Sequence, residues 1–127
     1  MRHGKSYKKL GVKHEHRRAM LRNMATSFFK TGSIVTTLTR AKALKPIVER
    51  LITKGKKGSL ASKRQIASYL FAKESGQRVW GEIADRMQDR NGGYTRIVKH
   101  GPRFGDGAEM CQLQLVDFRD AAAKEAK

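Results

Sequence analysis

Residues 33–57, SIVTTLTRAKALKPIVERLITKGKK, hold a β-branched run that is followed at once by a helical pattern. Residues 34–37 carry two heavy atoms on Cβ, which restricts the χ1 torsion and favours an extended backbone, so this run predicts a strand. After Thr39, whose hydroxyl can cap a helix, apolar residues recur three and four positions apart, as along one helix face. These residues are Ala41, Leu44, Val48, Leu51 and Ile52. The stretch therefore predicts a strand that leads directly into an amphipathic helix.

The opposite face of this predicted helix is strongly basic. Its cations are Arg40, Lys42, Lys45, Arg50, Lys54, Lys56 and Lys57, with Glu49 against them. One side is therefore suited to a core and the other to an anionic partner. Pro46 lies inside the pattern, where it has no N–H for the carbonyl of Lys42, so we expect a kink or a late helix start.

Helical spacing predicts three further helices. The first spans residues 14–30, and Gly32 is placed to end it. Its apolar stripe is Met20, Leu21, Met24, Ala25, Phe28 and Phe29. A loop over residues 55–59, GKKGS, leads into a helix through Ala72 that Ser59 can cap. The inward residues of that helix are predicted to be Leu60, Ile66, Ala67 and Leu70. A last helix opens at Ser75, with Val79, Trp80, Ile83, Ala84 and Met87 as its stripe.

The last third of the chain predicts a β-hairpin. Residues 94–100 and 110–116 are typical of strands, and the glycine-rich residues 101–109 of a connecting loop. In the second strand Cys111, Leu113 and Leu115 alternate with Gln112 and Gln114, so one face is predicted to be buried and the other wet. Cys111 is accordingly predicted to pack as a small apolar residue.

Charge is the strongest signal in the composition. The 127 residues have room for one domain with a modest core, yet the formal net charge is +17. Residues 1–30 hold nine basic and one acidic side chain, whereas residues 101–127 hold four basic and five acidic ones. Self-repulsion of this size weakens a compact fold, so we expect an acidic partner to offset it. The first half is predicted to be the binding half.

The sequence contains no pattern typical of a catalyst, a metal site or a membrane protein. No apolar run approaches the ~20 residues that cross a bilayer, and no secretory signal is recognisable, so we expect a soluble, cytoplasmic protein. Cys111 is the single cysteine, which excludes an internal disulfide and fits a reducing compartment. His14 and His16 point apart on a helix and cannot chelate one metal from it. We expect no enzymatic activity, no metal, no cofactor and no small-molecule substrate.

Nucleic-acid binding accounts for the excess charge. Three basic patches are predicted around the core: the segment from Arg2 to Arg22, the segment from Arg40 to Lys57, and Arg90, Arg96 and Arg103. Clustered Lys and Arg gain affinity by releasing counterions from phosphates. Distributed patches with a basic arm suit a folded RNA better than duplex DNA. A free nucleic-acid-binding protein of nucleoid or regulatory type and an RNA-processing enzyme remain as alternatives.

The chain resembles the bacterial ribosomal protein L17 family in four stretches. They are MRHGKS at residues 1–6, IVTTLTRAKALKPIVERLIT at 34–53, NGGYTRIVK at 91–99, and FGDGAEM at 104–110 with QLVD at 114–117. The resemblance implies an α/β (α+β) two-layer fold in the order helix, strand, three helices, two strands, with a small mixed three-stranded sheet packed on helices. It also implies a structural role on the large-subunit (23S) rRNA, beside neighbouring ribosomal proteins near the peptide exit.

The predicted RNA-binding residues come from both arguments. The resemblance implies Arg2, His3, Lys5, Lys9, Arg17, Arg40, Lys42, Tyr94 and Arg96. The basic patches add Lys8, Lys13, Arg18, Arg22 and Arg103. We expect a basic extended arm over residues 1–13, a single globular domain over 14–117 and a flexible tail over 118–127.

Overall fold

The structure, a computed structural model, describes residues 8–117, in the predicted order of one helix, one strand, three helical segments and two strands. Its elements are α1 (His14–Thr31), β1 (Ser33–Thr37), α2 (Leu38–Lys57), α3 (Leu60–Tyr69), α4 (Lys73–Arg78), α5 (Ala84–Arg86), β2 (Thr95–Pro102) and β3 (Glu109–Leu115). A π-helical turn over Val79–Ile83 joins α4 to α5 into one helical segment. The predicted tail and the first seven residues of the predicted arm lie outside the described residues.

The three strands form one antiparallel sheet in the order β1-β3-β2. The α+β class is confirmed, but the prediction of a mixed sheet is wrong. Strands β1 and β2 do run in the same direction, yet β3 lies between them and is antiparallel to both, so no parallel ladder forms. In register, Leu113 of β3 stands between Ile34 and Ile97, which places an apolar row on the side facing the helices.

The core lies between the sheet and α2. Helix α2 contacts all three strands, the helices α1, α3 and α5, and the π-helical turn. Its predicted stripe is confirmed, since all five residues are buried. The predicted alternation in β3 is confirmed too, with Cys111, Leu113 and Leu115 buried. Burial raises the pKa of the Cys111 thiol, which therefore packs as a neutral apolar group. Each large apolar side chain placed here contributes about 1.5–3 kcal/mol.

Helix α2 differs from its prediction at both ends. It begins at Leu38, directly after β1, so Thr39 is not its cap and the start is not late. It runs without interruption through Pro46 and includes Gly55, which was predicted to lie in a loop. A Cβ on Gly55 would stand 2.7 Å from the carbonyl oxygen of Val79, so this glycine permits the close approach of two helices. The helix ends instead at Gly58, which adopts a left-handed φ of 67°.

The third and fourth helical segments differ from their predictions in detail. The hydroxyl of Ser59 caps α3 as predicted, accepting from the Ser62 N–H at 3.2 Å. Leu60 and Ala67 are exposed, because Ser62 and not Leu60 shares the inward face with Ile66. The predicted end of α3 at Ala72 and the predicted start of the next helix at Ser75 are both wrong, since α3 ends at Tyr69 and α4 begins at Lys73.

Candidate nucleic-acid interface

A cleft of about 480 Å³ runs between α1 and α2 and combines positive charge with an apolar lining. Its cations are Lys8, Arg17, Lys42 and Arg50, and its apolar residues are Leu21, Ala43, Pro46 and Ile47. No acidic residue of the described chain lines it.

A second cleft, of about 360 Å³, lies where α1, α2 and α3 meet. Arg18, Arg22 and Lys54 line it, together with Leu51, Gln65, Ser68 and Tyr69. Arg50 of the first cleft and Lys54 of the second lie one turn apart on the same side of α2, so the two clefts adjoin. We refer to Lys8, Arg17, Arg18, Arg22, Lys42, Arg50 and Lys54 together as the cationic helical surface.

Among the described residues, no acidic side chain lines either of the two clefts. The ion pairs found over residues 8–117 involve Arg78, Arg86 and Arg103, and none of these lines the two clefts. Glu15 shares a shallow depression with Arg18, Arg22 and Phe71 beside these clefts. Like charges gathered at a concave surface raise the local potential and attract a multivalent anion.

Arg22 differs from its neighbours because it supports the fold. Its Nε donates to the carbonyl oxygen of Tyr69 at 2.7 Å, and one Nη donates to that of Ser68, also at 2.7 Å. The guanidinium lies 4.3 Å from the ring centroid of Phe71. The last carbonyls of a helix have no intrahelical donor, so Arg22 caps the end of α3 from α1. Its predicted contact with RNA stays a prediction and depends on the edge of the guanidinium that faces the second cleft.

Tyr69 reports the electrostatics of the second cleft. Burial raises the pKa of its hydroxyl, and the charges of Arg22, Arg50 and Arg18 act in the opposite direction. Three guanidinium groups from two helices are therefore close enough to one phenol to influence its proton. The same convergence of cations would act on a phosphate placed in the cleft.

The remaining residues predicted in the first half are distributed around this surface. Arg17 has one Nη 2.9 Å from Nδ1 of His14. Lys9 and Lys13 are exposed just before α1, and Arg40 is exposed in the first turn of α2 without lining either cleft. The predicted residues Arg2, His3 and Lys5 lie outside the described residues.

Tyr94 lies in the core and not at the surface. Only 3% of it is exposed, and its hydroxyl accepts from Lys56 Nζ at 3.2 Å and from the Thr53 hydroxyl at 3.5 Å. The bond from Thr53 is the main reason that the pKa of Tyr94 is lowered. This burial leaves no ring face to stack on a base, so direct contact between Tyr94 and RNA has no support in the structure. Tyr94 instead holds the ammonium group of Lys56, 5.1 Å from its ring centroid.

Arg96 and Arg103 stand apart from the cationic helical surface and have partners within the chain. Arg96 donates to the carbonyl of Val116. Arg103 forms two bonds to the Asp106 carboxylate, at 3.0 and 2.5 Å. The Arg103 guanidinium holds the pKa of that carboxyl well below its usual range, so the pair stays charged at neutral pH. The predicted third patch is therefore not gathered with the first two.

The sequence prediction left Arg50 and Lys54 out of its RNA-binding residues, although both were visible on the basic face of α2. The missing information was which part of that face adjoins α1, and this depends on tertiary packing. The described residues also contain no group of three His, Cys, Asp or Glu side chains that could hold a metal ion. Over the same residues, no helix is long and apolar enough to span a membrane.

Comparison with known proteins identifies the family. The family model for ribosomal protein L17 matches residues 20–116, from within α1 to just past β3. The chain belongs to the ribosomal protein L17 family. It is 52% identical over 124 residues to the large ribosomal subunit protein bL17 of Bradyrhizobium diazoefficiens, covering 98% of this chain and 89% of the relative. It is 51% identical over 109 residues to bL17 of Clostridium novyi, covering 86% of this chain and 96% of the relative.

A third relative, bL17 of Syntrophomonas wolfei, is 49% identical over 112 residues, with 88% of this chain and 99% of the relative covered. The resemblance noted from the four stretches is thereby confirmed. All the cations of the cationic helical surface except Lys8, Arg17 and Arg18 fall within the part that the family model matches.

Proposed function

We propose that this chain is a structural constituent of the large ribosomal subunit and binds its 23S rRNA chiefly through the cationic helical surface. The relatives at about 50% identity are named large ribosomal subunit proteins, which supports the assignment to that particle. The main support for an RNA interface at this place is the pair of adjoining clefts between α1, α2 and α3. They gather seven cations with no acid in their lining.

In this proposal the protein works by neutralising and positioning phosphates. Each Lys or Arg that meets a phosphate releases condensed counterions, which supplies affinity without reading sequence. The concave, partly apolar lining suits the irregular backbone of a folded RNA, where riboses and unstacked bases can contact apolar atoms beside the phosphate contacts. The other basic residues of the arm, Arg2, His3, Lys5, Lys9 and Lys13, would add further contacts to phosphates.

The finer points of the proposal concern location and chemistry. We infer that the chain acts in the cytoplasm, on the ribosome, beside other large-subunit proteins near the peptide exit. We assign it no catalytic step. Its role follows from a surface of fixed charge, because Lys and Arg that only offset phosphate charge need no nucleophile, base or metal.

Sedimentation tests the assignment to the large subunit. A tagged full-length chain expressed in a related bacterium should co-sediment with the large-subunit fraction at low salt, in proportion to its 23S rRNA. A chain found only in fractions free of ribosomes would contradict the proposal and favour the alternative of a free nucleic-acid-binding protein.

Competition separates these two functions further. At one fixed salt concentration, 23S rRNA should displace the chain from a labelled rRNA fragment far more effectively than the same mass of duplex DNA. Equal competition by DNA would again favour a nucleoid-type or regulatory protein, and turnover of the labelled RNA would favour an RNA-processing enzyme.

A further inference from the structure

The tip of the β2–β3 hairpin presents a fully exposed aromatic side chain. Phe104 is 104% exposed, whereas the other large apolar residues exposed among residues 8–117 lie between 40% and 64%. An aromatic ring left entirely in water forgoes one of the largest gains available from burial. A single exposed apolar residue is common on protein surfaces, so exposure alone does not indicate a binding site, and the conformation of the loop that carries the ring matters as well.

The loop that carries Phe104 is held in one conformation by hydrogen bonds on both sides of the ring. Arg103 donates two hydrogen bonds to the Asp106 carboxylate. Oδ1 of the same carboxylate also accepts from the Ala108 N–H at 3.1 Å. The Arg103 N–H donates to the Ala108 carbonyl at 2.7 Å, and the Gly107 N–H donates to the Arg103 carbonyl at 3.0 Å. The exposed ring therefore stands on a preorganised platform, which lowers the entropic cost of binding through it.

The local charge is unlike that of the cationic helical surface. Over residues 102–109 the charged side chains are Arg103, Asp106 and Glu109, and the first two neutralise each other. The carboxylate of Glu109 lines a small cavity together with Lys99, so the tip has no excess of positive charge. The neighbouring outer face of the sheet is uncharged where Gln112 stands between Val35 and Val98. A tip without excess positive charge does not attract phosphates as the cationic helical surface does, so its charge favours a protein partner over RNA.

We propose that Phe104 is the anchor of a protein-docking site, inserted in an apolar pocket of a neighbouring protein of the large subunit. An aromatic residue on a rigid loop, surrounded by polar groups, has the features of an interface hot spot. Arg103 and Asp106 are positioning residues in this site, since their pairing fixes the loop. The inference goes beyond rRNA binding, although it places the partner in the same particle.

Site-specific photo-crosslinking tests the inference. The full-length chain carrying p-benzoylphenylalanine at position 104 is assembled into large subunits, which are purified and irradiated. We expect an adduct with a ribosomal protein, several-fold more abundant than that from the same probe at Leu60, which is 64% exposed at the start of α3. Adducts with RNA alone, or a protein adduct no more abundant than the one at Leu60, would overturn the inference. If the chain does not enter large subunits at all, both this inference and the proposed function fail.

Two variants supply a second readout. Phe104→Ala should leave the unfolding midpoint unchanged, because the ring is fully exposed, and should leave the affinity for protein-free 23S rRNA unchanged if the ring docks on protein. Asp106→Ala keeps the ring but loosens its loop, so it should lower the protein adduct from a probe at position 104 several-fold. A loss of affinity for protein-free rRNA in Phe104→Ala would place the ring on RNA and refute the docking site.

Discussion

Arg18 and Arg22 lie one turn apart on α1 and carry out different tasks. Arg22 bonds to two carbonyls at the end of α3, whereas no hydrogen bond or ion pair is found for Arg18 among residues 8–117. Arg22→Ala should lower the free energy of unfolding by about 1.5–3 kcal/mol, the range for hydrogen bonds that involve a charged group. Arg18→Ala should change it by less than about 0.5 kcal/mol. Urea denaturation measures both, and equal effects would contradict the structural role of Arg22.

At Gly55, helix propensity and side-chain packing predict opposite effects of an alanine substitution on stability. Alanine favours helix over glycine by about 1 kcal/mol, but a Cβ here would lie 2.7 Å from the Val79 carbonyl oxygen. We expect Gly55→Ala to destabilise the protein by about 1–3 kcal/mol, the range for overpacking. Gly81→Ala is the matched control, since nothing lies within 4 Å of its added Cβ, and it should stabilise by about 0.5–1 kcal/mol. Thermal unfolding that shifts both variants upward would refute the close approach of these helices.

Two single residues show which features the local sequence does not determine. Gly55 was interpreted as a loop residue because its sequence neighbours are Lys56, Lys57 and Gly58, and only the packing of α2 against Val79 explains it. Tyr94 follows two glycines and was predicted to contact RNA, but its ring is buried in the core beside α2. Both outcomes depend on partners more than 20 positions away, which local pattern does not contain.

At the scale of elements, α2 tolerates a proline in its interior. Pro46 is exposed and denies the Lys42 carbonyl its usual donor, yet the helix continues for eleven further residues to Lys57. Pro46→Ala should raise the free energy of unfolding by about 1–2 kcal/mol, because the helical gain of up to ~3 kcal/mol is reduced by the lost stiffness of the unfolded chain. Chemical denaturation monitored by circular dichroism checks this, and a lower stability would mean that Pro46 fits its site better than alanine.

Elements with a strong hydrophobic periodicity could be predicted from the sequence, whereas features that depend on strand pairing, such as the strand order, could not. The stripe of α2, the alternation in β3, the Ser59 cap and the helix end at Gly32 all follow from local spacing, and the structure has them. The order of strands in the sheet depends on where β3 inserts, which no local pattern encodes. The inward face of α3 was predicted in part: Ile66 and Leu70 are buried, but the polar Ser62, bonded to Ser59, takes the place expected for Leu60.

At the scale of the whole molecule, charge and core occupy different regions. The basic arm adds charge but little apolar surface, so a chain lacking residues 1–13 should keep its fold and its cooperative thermal transition. It should bind 23S rRNA more weakly, with a shallower salt dependence, because fewer phosphates are neutralised. Circular dichroism and filter binding on the truncated chain make the two measurements. Unfolding of the truncated chain would contradict the division between arm and domain.

The candidate site shows the same division between what was and was not predictable. The excess of cations in the first half could be predicted from composition, as could the basic face of α2. The gathering of Lys42, Arg50 and Lys54 with the cations of α1 into adjoining clefts needed the packing of three helices. The pairing of Arg103 with Asp106 needed the hairpin turn.

The salt dependence of binding to 23S rRNA tests the central claim most directly. The experiment compares two triple variants of equal net charge. One replaces cations of the clefts: Lys42→Gln, Arg50→Gln, Lys54→Gln. The control replaces cations outside both clefts: Lys30→Gln, Lys73→Gln, Lys99→Gln. Each lost phosphate contact should reduce the slope of log K against log salt by about 0.7–0.9. The account predicts a slope lower by about 2 in the first variant and nearly unchanged in the control. Equal slopes in the two variants would contradict it.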